Sequence, residues 1–308
     1  MNVSELLKKY KFLPTRLITA RGPVIYNTAR AIVCLSDKIK IKWAAKKNKP
    51  FILIYQQGRV ASTSVYESIK AMKLPYPLYH VHTLSIENAE QKIKLAKKNN
   101  TKAYRHFFVG KYLGKAIQNI KLTPSYEPWK VICIFRDPID IMLSLYFLNI
   151  ETKSKDLELY EDKEAALEYF QNLFESNDPS GWAICRWFDD VFYKELGIDV
   201  YSHAFDTEKG FVVIKTEKFE ILLLRFENLA SVYKHGSAEL LGMDSGDFNL
   251  MHANIHRNDK YSDMHIYIKK NLRLSKSFCD KVYTTKLMKH FYSSAMIETS
   301  VKKWTKVK

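Results

Sequence analysis

The chain has 308 residues, 46% of them hydrophobic and 13% aromatic, so it can bury a sizeable core, and disorder is excluded. Its formal charge is +16, and residues 1–50 carry most of it, with twelve Lys and Arg against only Glu5 and Asp37. Such an arm suits an anionic surface (membrane phospholipid, an acidic glycan or nucleic acid) or, more plainly, a solvated basic helix pair packed on the domain.

The start, MNVSELLKKYKFLP, has no apolar leader core. The apolar stretch from Val24 to Leu35 holds Asn27 and Arg30 and is too short to span a bilayer. Cys34, Cys133, Cys185 and Cys279 show no metal or redox spacing and read as reduced thiols of a cytoplasmic protein. No repeat or low-complexity segment is present. The expected layout is a basic helical arm over 1–49, then one α/β domain over 50–308 with a helical closing segment from 252.

Phe51 to Tyr55 is a continuous apolar run, expected as a strand buried on both faces. Gly58 follows it, and Ser62, Thr63 and Ser64 open a helix expected over 62–73, stopped by Pro75 and Pro77. Strand, glycine turn and hydroxyl-rich helix start together make an anion site, because the first N–H groups of a helix point outward and the helix dipole favours negative charge. Arg59 adds a cation there. No Gly-Lys-Ser/Thr closes the loop, so it is not a Walker A sequence.

Next, PLYHVHTLS reads as a strand with His80 and His82 on one face. Ser85 to Asn99 reads as an amphipathic helix capped by Ser85. Residues 103–120 read as an extended piece running into a helix, with His106 at the junction. WKVICIF, from Trp129, is a second buried strand, and Arg136-Asp137-Pro138 leads into an apolar-faced helix in which Asp137 suits the cap and Pro138 the first turn. Arg136 and Ser144, at the strand end and about two turns into the helix, can reach one phosphate; the alternative for Arg136 is a helix-capping ion pair. Residues 155–176 read as a charged helix with no assigned chemistry. Trp182 to Leu196 has helical spacing ended by Gly197, with Trp182, Trp187 and Phe188 expected in the core rather than as a sugar platform. Residues 199–230 read as strands around turns, the last strand ending at Glu227 before a helix.

The two loops, ASTS at 61–64 and RDPI at 136–139, resemble the nucleotide-binding elements of the sulfotransferase superfamily, the heparan and dermatan 2-O-sulfotransferases in particular. The closing segment 252–293 is similar to that of carbohydrate sulfotransferases. It is closer still to a bacterial capsular polysaccharide synthesis family that pairs such loops with a His-x-His strand and an Asn…Lys…Tyr-Ser element. The likeness covers roughly residues 50–293. Where that family has Lys-Trp-Tyr-Ser, this chain has Asp259-Lys260-Tyr261-Ser262, so no role of the Trp carries over.

The resemblance implies a three-layer, P-loop-like α/β fold with a central, mainly parallel sheet flanked by helices. It also implies transfer of a sulfuryl group from PAPS (3′-phosphoadenosine 5′-phosphosulfate) to a carbohydrate hydroxyl. Gly58, Arg59, Val60, Ala61, Ser62, Thr63 and Ser64 would hold the 5′ end of PAPS, with Arg59 neutralising the leaving phosphate. Arg136 and Ser144 would hold the 3′-phosphate, with Arg257 and Lys260 closing over it. The acceptor's base would be His106 or His82, the latter with its neighbour His80. No metal is implied, since the sulfuryl group leaves an activated anhydride, and zinc at His80 and His82 lacks a third ligand.

The expected partners are a polysaccharide or its lipid-linked precursor and, through the basic arm, the anionic inner membrane; nucleic acid is not expected. Acceptor contacts would come from 150–200 and 230–255. Two rivals remain. One is a P-loop kinase, which needs a Walker lysine and a magnesium-holding acid that are not evident. The other is a non-catalytic glycan- or nucleotide-binding protein on the same fold.

Overall fold

A computed structural model describes residues 23–101, 104–153, 162–251 and 260–305. In chain order these form α1 (Pro23–Lys46), β1 (Ile52–Tyr55), α2 (Ser62–Ala71), β2 (Leu78–Val81), α3 (Ile86–Lys98), α4 (Arg105–Gln118), β3 (Trp129–Phe135) and α5 (Pro138–Lys153). Then come α6 (Lys163–Glu175), α7 (Tyr193–Leu196), β4 (Phe211–Lys215), β5 (Phe219–Arg225) and α8 (Leu229–Leu241). The closing helices are α9 (Lys260–Asn271), α10 (Lys276–Tyr283), α11 (Lys286–Phe291) and α12 (Ser294–Trp304).

The strands make one five-stranded sheet in the order β2-β1-β3-β5-β4. β1 runs parallel to β2, with Ile52 opposite Leu78, and parallel to β3, with Ile52 opposite Lys130. β4 and β5 form a hairpin, closed by Thr216 N–H donating to Phe219 O and Arg225 N–H donating to Gly210 O. This is the α/β architecture expected, a mainly parallel sheet flanked by helices. Among the described residues no helix is long and apolar enough to cross a membrane.

The chain divides into two compact units. The first holds the chain up to Gln56, Ile69–Cys133 and Ile214–Ile221. In it, Phe51 to Tyr55 is fully buried, as a continuous apolar run requires. The Trp129 ring lies 4.2 Å from Phe51 and 6.5 Å from Phe219, centroid to centroid. α1, α3 and α4 meet at a small core of Cys34, Ala96 and Phe108, one residue from each. The contact is pinned by Arg105, whose Nε and Nη2 donate to the two oxygens of Asp37 at 2.8 and 2.7 Å.

Two glycines one turn apart bring α4 against the exit of β2. A Cβ on Gly110 would stand 2.1 Å from Thr83 O, and one on Gly114 2.0 Å from Leu84 O. No other residue allows a helix to lie that close to backbone carbonyls. Ser85 caps α3 as expected, accepting from Asn88 N–H.

The second unit holds Gln57–Ser68, Ile134–Val213 and Leu222–Lys308. Its core is aromatic: Phe135 stacks on Phe291 with centroids 4.3 Å apart, and Phe188 and Phe205 pack on the same ring. Phe147 of α5 stacks on Phe170 of α6 at 4.6 Å.

Two sequence readings change. The helix expected from Trp182 to Leu196 is not continuous: residues 183–185 are a turn, and the helix begins as a π-turn at Phe188–Phe192 before α7. Trp182, Trp187, Phe188 and Phe192 are all buried, and the wider π-turn seats that many large rings. Residues 200–202 form a 3₁₀ turn rather than a strand. Gly197 does close α7 in the left-handed conformation, with φ 74°. The charged helix expected over 155–176 is present as α6, capped by Asp162; residues 154–161 lie outside the described part.

Candidate functional site

After β1 the loop of the second unit turns through an unusual backbone. Gly58, Arg59 and Ala61 have φ of 96°, 59° and 57°. For Arg59 and Ala61 the left-handed region costs on the order of 1 kcal/mol each, and such strain persists only where the surroundings over-determine it. Left-handed residues within a turn aim successive N–H groups into one concavity, a shape that receives anions. α2 then starts at Ser62, with Ser64 and Val65 N–H donating to Ala61 O.

The loop is tied to α5 by the residues expected at the 3′-phosphate. Arg136 Nη1 donates to Arg59 O at 3.1 Å, and Arg59 Nε donates to Ser144 Oγ at 2.7 Å. The Arg59 side chain therefore reaches Ser144 of α5. Arg136 lies over the Phe226 ring at 4.1 Å, and its buried Nε–H has no partner among the described residues. The ion pair Arg136 makes with Asp140 is long, at 3.5 Å.

Asp137 caps α5 as expected, its Oδ1 accepting from Ile139 and Asp140 N–H. Its Oδ2 accepts from Tyr283, and its own N–H donates to Glu227, which also accepts from Tyr292. Burial raises the pKa of Asp137, with the charge of Asp140 adding to it, and burial raises Glu227 likewise. These two carboxyls hold the start of α5.

Asp140 behaves differently. Burial works to raise its pKa, but Lys303 at 3.0 Å, Arg136 and Lys269 at 2.8 Å outweigh it and hold the carboxyl below its ordinary value. Lys269 of α9 and Lys303 of α12 thus bring further cations beside Arg136, and sequence reasoning passed over both. His265 of α9 is beside them: burial first, then Lys269, Arg136 and Arg59, lower its pKa. Arg136, Lys269 and Lys303 thus surround Asp140, with Asp137 as its neighbouring carboxyl. Lys260 opens α9, but its side chain lies outside the described residues, as does Arg257.

The first unit holds the other candidates. His80 on β2, His82 just beyond it and His106 in the first turn of α4 form one row, with ring centroids 5.0 Å apart at each step. Both candidate bases therefore belong to one cluster. Gln56, the residue after β1, binds two members: its Nε2 lies 3.0 Å from His80 Nε2, and its backbone O 3.0 Å from His82 Nδ1. The second contact makes Nδ1 the protonated nitrogen of His82 and leaves its Nε2 with a lone pair.

Burial, then the neighbouring imidazoles, lowers His80 to about 4, and burial with His82 does the same for His106. Burial also lowers His82, against the hydrogen bond to Gln56. At neutral pH the row is uncharged. Among the described residues no group of three or more His, Cys, Asp or Glu is arranged to hold a metal ion. None of the four cysteines forms a disulfide, and all are buried.

Comparison with known proteins finds similarity in one place. The family model NKWYS, described as "Putative capsular polysaccharide synthesis protein", matches residues 156–293. That span holds Glu227, His265, Lys269, Tyr283 and Tyr292 but not the 57–64 loop, Arg136 or Ser144. No curated protein and no solved structure matches the chain.

Proposed function

We propose that this protein transfers a sulfuryl group from PAPS to a hydroxyl of a carbohydrate, a capsular or other cell-surface polysaccharide or its precursor. The observation that carries the proposal is the linkage of Arg59, Arg136 and Ser144. Residues from two distant stretches, Arg59 assigned to the 5′ end of one nucleotide and Arg136 and Ser144 to its 3′-phosphate, hydrogen-bond to one another beside a loop with three left-handed residues. The similarity of residues 156–293 to a capsular polysaccharide synthesis family supports the choice of acceptor class.

The residues present fit a nucleotide carrying phosphate at both ends. Cations gather in the cluster, the Nε–H of Arg136 has no acceptor among the described residues, and the loop's strained backbone is explained by an anion. The amides from Gly58 to Ser64 would hold the 5′ end, and Arg136, Ser144 and Arg59 the 3′-phosphate. When bound, PAPS supplies the sulfuryl group on an activated phosphosulfate.

The chain's own tasks are positioning, electrostatic stabilisation and removal of the acceptor's proton. The neutral imidazoles of the His80, His82 and His106 row are in the protonation state a general base needs, and the free Nε2 of His82 makes it the first candidate. Arg59 would shift from Ser144 toward the leaving phosphate or keep the 3′ end, and the two roles differ in whether Arg59→Ala lowers turnover or affinity.

Calorimetric titration with 3′,5′-adenosine bisphosphate on the wild type and Arg136→Ala tests the proposal. Binding that the substitution weakens by about 30-fold or more, the loss of a charged contact of roughly 2 kcal/mol, is the expected result. No binding to either protein sinks it. Binding with no sulfuryl transfer to any acidic or neutral capsular oligosaccharide would favour a non-catalytic nucleotide-binding protein on this fold.

A further inference from the structure

The helix α1 has two opposite faces of apolar residues, which a helix packed on only one neighbour does not need. Successive residues turn about 100°, so Cys34, Asp37, Ile41 and Ala44 share one face. That face is buried on the first unit, with Asp37 in the fork of Arg105. Leu35, Ile39 and Trp43, four residues apart, fall on the opposite face and are 48%, 61% and 54% exposed. Lys38, Lys42 and Lys46 line one flank of this stripe and Lys40 the other, and Lys47 follows Trp43 just past the helix end.

The flank of Lys38, Lys42 and Lys46 borders a groove of about 530 Å³ beside α4, floored by Ile41, Tyr112 and Trp129. Lys49, Lys115 and Lys121 complete its rim, and none of the described residues lining it is acidic.

We propose that α1 is an interfacial helix that lies in the plane of an anionic bilayer. Leu35, Ile39 and Trp43 enter the boundary between headgroups and acyl chains, and the lysine-rimmed groove takes lipid phosphates. An apolar stripe bordered on both sides by lysines matches that boundary in both chemistry and order. The lysines alone would serve any polyanion, but three large apolar side chains left about half exposed serve no phosphate backbone. The proposal is independent of sulfuryl transfer: it concerns where the protein works, and the cradle around Arg136 has no part in it.

Co-sedimentation of the full chain with vesicles tests it, using phosphatidylcholine alone or mixed with phosphatidylglycerol. The wild type should bind the mixed vesicles and leave the neutral ones. Lys38→Glu/Lys42→Glu/Lys46→Glu should lose more than about tenfold in partitioning, given the cost per lysine at an anionic surface. Leu35→Ser/Ile39→Ser/Trp43→Ser should lose about tenfold or more, because buried apolar area sets the insertion. All six positions are exposed, so circular dichroism and the bisphosphate titration serve as controls for folding.

Equal binding to both vesicles, or none, overturns the proposal. So does a stripe variant that binds like the wild type. If a single-stranded oligonucleotide binds in a lysine-dependent, stripe-independent way while vesicles do not, the surface belongs to nucleic acid instead.

Discussion

Around Arg59 and Arg136 the second unit gathers cations and leaves a donor with no acceptor among the described residues, while around His82 the first unit gathers imidazoles and strips them of charge. Both are polar clusters in a largely apolar setting, yet burial acts on them oppositely. Arginine keeps its proton at any depth, so a buried guanidinium without full partners asks for an anion. Histidine gives its proton up when desolvated, so a buried row of three becomes a set of neutral acceptors and donors. One cluster is suited to hold charge, the other to move a proton.

The largest effect that separates them lies in the histidines. His82→Ala or His106→Ala should lower turnover by about 10²–10⁴-fold, the span of general-base catalysis, with affinity for 3′,5′-adenosine bisphosphate unchanged within about twofold. Only the variant that removes the base should do so; its neighbour should cost far less. If both substitutions leave single-turnover rates intact, the row is structural and the comparison collapses.

Gly110→Ala attacks the row through its support. The new methyl would meet Thr83 O at 2.1 Å, a backbone atom that cannot swing aside, so α4 must move. Destabilisation of about 1–3 kcal/mol is expected, read from a denaturant midpoint. Turnover should fall further than nucleotide affinity, because α4 carries His106.

A third, smaller effect is set by pH. The ordinary imidazole value of 6.5 applies to the unfolded chain, whereas folding lowers His80 and His106 to about 4. Protons are therefore taken up on unfolding between those values. The stability these groups contribute is whole above pH 6.5 and is lost as pH falls toward 4. After a discount for partial exposure the loss is about 2 kcal/mol per imidazole, visible as a falling Tm. His80→Gln/His106→Gln should flatten that slope, and a slope unchanged in the double variant would assign it to the carboxylates instead.

What could be read from the sequence divides along the same line. The loop after β1 and the Arg136 cap were legible because their signals are local: an apolar run, then Gly58, or Asp137 and Pro138 at a helix start. Placing Arg136 at the end of β3 and Ser144 about two turns into α5 needed only strand and helix spacing. The row of histidines was half legible, since alternation puts His80 and His82 on one face. Bringing His106 to them depends on Gly110 and Gly114 meeting Thr83 and Leu84, an approach that two glycines four apart in a helix hint at without naming a partner. Lys269 and Lys303 reach Asp140 from helices far along the chain, and nothing local marks them. The π-turn at Phe188–Phe192 was missed because helical spacing does not tell 3.6 residues per turn from a wider local turn.

Ser144 gives the finest distinction. Its hydroxyl accepts from Arg59 Nε at 2.7 Å, which fits two roles. If Ser144 only parks Arg59, Ser144→Ala releases the guanidinium, and bisphosphate affinity stays level or improves while the free protein loses about 1 kcal/mol of stability. If the hydroxyl turns to the phosphate when nucleotide arrives, Ser144→Ala removes a charge-assisted bond of about 1.5 kcal/mol, and Kd weakens roughly tenfold. Arg59→Ala completes a double-mutant cycle. In the parking role the two substitutions are coupled in the free protein's stability, and Ser144→Ala weakens affinity in neither background. In the binding role the coupling moves to affinity, because both side chains then act on one anion. Such coupling would give the cradle a mobile cation as well as the fixed Arg136, leaving Arg59 able to follow charge toward the leaving phosphate.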